Sequence, residues 1–77
     1  MIEDIRRRLG LTPFVPFSIR MADGHEYAVP TIDHVWLPPG GRRVVVSDDR
    51  GITVVLPVLM ISGLVHTGNG DVAGTGE

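Results

Sequence analysis

The sequence predicts a mainly β domain: a short N-terminal helix followed by a strongly bent five-stranded antiparallel sheet or small barrel. Three observations predict it. The apolar period is helical over Ile2–Leu9 and changes to two from Phe17 onward. Two hairpin signals, Ala22-Asp23-Gly24 and Asp49-Arg50-Gly51, each separate alternating apolar runs. The chain has 77 residues, enough for one small core and no second domain.

Ile2, Ile5 and Leu9 fall at i, i+3 and i+7 and make one apolar stripe. Glu3 and Asp4 stand at the positive end of that helix's dipole, and Arg6, Arg7 and Arg8 at its negative end. Glu3–Arg7 and Asp4–Arg8 have i, i+4 spacing with the acid first. Gly10 is placed to cap the C-terminus. Two turns do not hold alone in water, so the helix must pack on the sheet.

Pro13-Phe14-Val15-Pro16-Phe17 follows. Its prolines lack N–H donors and disfavour helix in the residue before each, so it reads as a stiff extended arm. Phe17, Ile19 and Met21 then alternate with Ser18 and Arg20 as a half-buried strand. A two-residue Asp23-Gly24 loop would put Tyr27 and Val29 on the face away from Ile19. A three-residue loop pairs Met21 with His25, Ile19 with Tyr27 and Phe17 with Val29, which keeps the apolar residues together. It also places Gly24 third, where a left-handed residue is needed. The same reasoning pairs Val46 with Val54, Val45 with Val55 and Val44 with Leu56, with Gly51 third in its loop.

Between the hairpins, His34-Val35-Trp36-Leu37 reads as strand, ended by Pro38-Pro39-Gly40-Gly41. Pro30 makes the stretch from Val29 to His34 a bend or a break in one long strand. Pro57–Met60 is a tight connection and Ile61–His66 the last strand. Ile19, Tyr27, Trp36, Val46 and Val54 are expected in the core. Residues 1–67 are thus one domain. The tail 68–77, Gly-rich with little to bury, is expected to be disordered.

Composition narrows the function classes. There is no Cys, which excludes a disulfide scaffold, a Cys-ligated zinc and a thiol nucleophile. The net charge of −2 argues against a general nucleic-acid or anionic-membrane binder. No apolar run is long enough for a membrane span or a signal peptide, so the expected location is cytoplasmic. Every side-chain base other than His is Arg, with no Lys. His25, His34 and His66 stand on separate segments without metal-ligand spacing, so no metal or cofactor is expected. Asp48-Asp49 lies in a turn, where Asp is a turn former. No nucleophile or phosphate-loop motif is present, and the chain is not expected to be an enzyme.

Two features point to partners. Arg6, Arg7 and Arg8, with Arg42 and Arg43, are candidate contacts to phosphate or to an acidic protein partner, against the alternative of a solvated helix face. The runs Val44-Val45-Val46 and Ile52–Val65 are apolar on both faces, and the last strand carries no Lys to protect its edge. That predicts a homo-oligomer paired through strand edges, with Val55, Ile61, Leu64 and Val65 at the interface.

A helix, then bent antiparallel strands with a tight Pro57–Met60 link into Ile61-Ser62-Gly63-Leu64-Val65, resembles the Sm-like small barrels. The last segment is similar to their second motif, Ile-Arg-Gly plus an apolar residue, with Ser62 in place of the Arg. After Asp33 come His34, Val35, Trp36 and Leu37, without the Asn of their first motif. The resemblance implies the barrel and, as an alternative function, an RNA-binding ring; the departures fall on the RNA-contacting positions. Over residues 1–66 the chain also resembles a family of short uncharacterised bacterial proteins. The marks are Pro13-Phe14-Val15-Pro16-Phe17, the Asp23-Gly24 turn and the closing Ile61 strand. That resemblance implies the fold and no activity.

Overall fold

A computed structural model describes residues 1–66; the segment 68–77, expected to be disordered, lies outside them. The described residues are mainly β, with one α-helix, α1 (Ile2–Leu9), followed by six strands: β1 (Phe17–Met21), β2 (Glu26–Val29), β3 (Val35–Trp36), β4 (Arg43–Ser47), β5 (Thr53–Pro57) and β6 (Ile61–His66). They form two three-stranded antiparallel sheets, ordered β2-β1-β6 and β3-β4-β5. This differs from a single five-stranded sheet, and no closed barrel forms among the described residues. The reason is Pro30. The segment from His25 to Leu37 breaks there into β2, a 3-10 turn over Ile32–His34, and β3, and its two halves join different sheets. The turn is capped by Thr31, whose Oγ1 accepts the Asp33 N–H.

Both hairpins have the register that the parity of their apolar residues requires. Ile19 pairs with Tyr27 and Phe17 with Val29, while Val46 pairs with Val54 and Val44 with Leu56. Gly24 and Gly51 take φ of +92° and +84° at the third loop position, a region that costs other L-residues about 1–2 kcal/mol. Asp48 organises the second loop. Its Oδ1 accepts the N–H groups of Arg50 and Ile52 at 2.9 and 3.0 Å.

One core joins the two sheets. Phe17, Ile19, Met21, Val29 and Ile61 come from the first sheet and Val44, Val46 and Leu56 from the second. Ile5 of α1, fully buried, is part of the same cluster. Tyr27 and Val54 are half-buried and pack against this cluster from its margin. Trp36 departs from expectation: it is 60% exposed. β3 is only two residues long, and its alternation turns Val35 towards the core and Trp36 away from it.

Helix α1 also differs in detail. Its ion pairs are i, i+3, Arg6–Glu3 at 2.6 Å and Arg7–Asp4 at 3.4 Å, so Arg8 is left to make other contacts. Gly10 ends the helix in a right-handed conformation, its N–H shared between the carbonyls of Arg6 and Arg7. In β6, Arg20 faces Gly63 and Met21 faces Ile61, so Ser62 is an extra residue in a bulge. The Ser62 hydroxyl donates to the carbonyls of Arg20 and Met21. A bulge increases local twist and bends the strand.

Candidate assembly edges and inter-sheet cleft

Antiparallel ladders alternate residues that turn their backbone groups inward and outward. At the two ends of the β4–β5 ladder, the Asp48 N–H donates to Ile52 and the Val58 N–H to Arg42, at 3.0 and 2.9 Å. By alternation, Val54 and Leu56 bond to β4, and Thr53, Val55 and Pro57 face outward. In the other sheet the Met21 N–H donates to His25 at 2.8 Å and the Ala22 N–H to Met60 at 2.7 Å. Ser18 and Arg20 therefore bond across to Val65 and Gly63, and Leu64 and His66 face the outer edge of β6.

The four expected interface residues now have places. Val55 is 53% exposed on the outer strand of its sheet. Leu64 is half-buried on the outer edge of β6 and lines a cleft of about 410 Å³ with Met1, Asp4, Arg7, Arg8 and Leu11. Val65 is half-buried and bonded to β1. Ile61 is in the core. Around them, Leu59 at 96% and Met60 at 51% are exposed on the 3-10 turn that joins β5 to β6.

Each arginine of the basic run has a contact within the chain and stays on its surface or at a cleft. Arg6 and Arg7 pair with acids on α1. Arg8 lies 5.7 Å from the centroid of the Phe17 ring and donates to Nδ1 of His66 at 3.3 Å. Arg42 and Arg43 are exposed at the start of β4 and form no ion pair among the described residues.

The three histidines are apart, and among the described residues no three His, Cys, Asp or Glu side chains are grouped to hold a metal. His25 is beside Asp23, Nδ1 to Oδ2 at 3.1 Å. His34 joins two elements: Nδ1 is 2.9 Å from Thr31 Oγ1 and Nε2 is 2.7 Å from Asp49 Oδ1. A hydroxyl, an imidazole and a carboxylate in series have the connectivity of a nucleophilic triad. Here the hydroxyl caps the 3-10 turn, and the series ties that turn to the tip of the β4–β5 hairpin. No spacing in the sequence announces it, because Asp49 is 15 residues from His34.

Two aspartates titrate low. The His25 N–H, and then the His25 ring, hold the Asp23 carboxyl below its ordinary range. The Ile52 N–H does the same for Asp48, with the N–H and guanidinium of Arg50 adding to it.

A second cleft, of about 470 Å³, runs between β2 and the β4–β5 hairpin, where the two sheets separate. Comparison of the chain with protein-family models, with curated proteins and with solved structures finds no match.

Proposed function

We propose that the chain is a non-catalytic assembly module that self-associates through the outer edges of β5 and β6. The observation that carries this is the complementarity of those edges. Thr53 and Val55 offer N–H and C=O groups on one, and Leu64 and His66 on the other, each edge beside exposed apolar side chains.

The pairing is head to tail, β5 of one copy on β6 of the next. Pairing β5 with a second β5 about Val55 would set Pro57 opposite Thr53 twice, and proline has no N–H to give. Pairing β6 with β6 would bring together two helices that carry Arg7 and Arg8 beside that edge. In the head-to-tail ladder Val55 faces Leu64 of the next copy and Thr53 faces His66. Paired residues share a face, so Val55 enters the cleft between α1 and β6. A head-to-tail contact closes into a ring or runs on as a filament.

The Sm-like barrel belongs to the same proposal. β1 pairs with both its hairpin partner and the last strand, and the 3-10 turn at Val58–Met60 carries the chain between the sheets. This is support for the reading, with the barrel left open between β2 and the β4–β5 hairpin.

Sedimentation or light scattering at micromolar concentration tests it. The expected result is a mass several times the 8.3 kDa of one chain. A folded protein of single-chain mass would end the proposal. Salt-sensitive retention of single-stranded RNA by that monomer would replace it with a nucleic-acid-binding role.

A further inference from the structure

The inter-sheet cleft is separate from the assembly edges, and its β2 wall carries backbone groups that are not bonded to β1. By the alternation that fixes the β1–β2 ladder, Tyr27 and Val29 bond to β1 while Glu26 and Ala28 turn their N–H and C=O groups outward. Glu26 and Ala28 line the cleft. Across it stands Ser47. Val46 bonds to Val54, so Ser47 turns its backbone towards His34, which the β3–β4 register sets opposite it, and the open edge of the cleft is that of β2. Half-buried Tyr27 and Val54 and exposed Ile52 supply apolar surface, and the volume is within the range of ligand sites.

The rim is acidic. Glu26, Asp48 and Asp49 face it with one guanidinium, that of Arg50. Glu26 is bonded to Arg20 and Asp48 to Arg50. Asp49 is 90% exposed and meets His34 through Oδ1.

We propose that this cleft binds an extended basic segment of another protein, added as a strand against the outer edge of β2. The backbone of the segment bonds to Glu26 and Ala28, an apolar side chain lies on Tyr27 and Val54, and a Lys or Arg reaches Asp49. A second copy of the chain does not fit. Among the described strands the arginines are Arg20 and Arg43, on β1 and β4, both central in their sheets; the edge strands carry no Arg or Lys, and the one His among them, His66 of β6, meets Arg8. Among the described residues a copy therefore has no Arg- or Lys-bearing edge strand to offer.

The test uses backbone amide NMR of the full chain with three probes: acetyl-Val-Lys-Val-Lys-Val-amide, the same peptide with Glu for Lys, and the Lys peptide N-methylated at its central valine. The Lys peptide is expected to shift Glu26–Ala28 and Ser47–Arg50, and to bind about tenfold more tightly than the Glu peptide, roughly the 1.4 kcal/mol of one charge-assisted contact. Asp49→Asn, at an exposed position, is expected to remove that preference while leaving the spectrum otherwise folded. The N-methylated probe is expected to lose binding. Equal binding of both charged peptides, no shift at millimolar peptide, or shifts confined to β5 and β6 would each overturn the proposal.

Discussion

Asp48 shows how one side chain holds a hairpin. Its carboxylate takes two backbone N–H groups and the Arg50 guanidinium, and all three bonds favour the charged form. A carboxyl whose folded pKa is depressed adds stability above its unfolded pKa, near 3.9. That stability is lost as pH falls through the lower, folded value. Asp48→Ala is therefore expected to lower the melting temperature at neutral pH, with the gap to wild type closing as pH falls below the ordinary carboxylate range. A gap that stays constant into acid, in circular-dichroism melts, would mean that the charge on Asp48 is not what matters. Trp36 is the residue that sequence reasoning misplaced. Its type favours the interior, but a two-residue strand fixes its direction by alternation, and no pattern that short is legible. Trp36→Ala is now expected to cost under about 1 kcal/mol, as an exposed substitution, whereas Phe17→Ala, in the core, should cost about 3–5. Urea denaturation of the two variants compares them.

At the scale of elements, the hairpins were readable and the connection between them was only half readable. The registers follow from parity: one residue of slip would move Tyr27 and Val29 off the face of Ile19, and of the two- and three-residue loops only the three-residue one avoids that. The third-position glycines follow from the same loops. No atom lies within 4 Å of a Cβ built on Gly51, so its requirement is purely conformational. Gly51→Ala is expected to destabilise by about 1–2 kcal/mol. Gly63→Ala is expected to be close to neutral, because Gly63 has no positive φ and open space around it. Equal losses in thermal melts would refute the conformational account of Gly51. Pro30 marked a bend or a break in the sequence, and which of these occurs depends on tertiary pairing. β3 pairs with β4 and β2 with β1, so the chain changes sheets there. The ion pairs of α1 were also only partly legible. Both i, i+3 and i, i+4 spacings are open to Glu3 and Asp4, and the contact of Arg8 with Phe17 and His66 removes it from the i, i+4 set.

At the scale of the molecule, strands apolar on both faces pointed to a second covering surface, and the structure places a core on only one of them. Val44, Val46 and Leu56 face the core, while Val55 stands 53% exposed beside an unpaired edge. The clefts were not legible, because each lies between elements far apart in sequence. Val55 gives the cleanest test of the proposed assembly, since Val55→Lys alters no core contact. The variant is expected to keep the circular-dichroism spectrum and melting behaviour of a folded monomer and to sediment as a single chain. An unpaired Lys under α1 of the next copy would be costly there, and it would meet Arg7 and Arg8 beside that cleft. Val55→Asp separates the two causes. It is as polar as the Lys variant but opposite in charge, and it faces the same arginines. If the cleft is the seat, Val55→Asp should retain more of the assembly than Val55→Lys at low salt, with the difference fading as salt screens it. Identical dissociation by both at every salt concentration would place Val55 elsewhere in the interface, and assembly unaffected by either would remove the β5 edge from it.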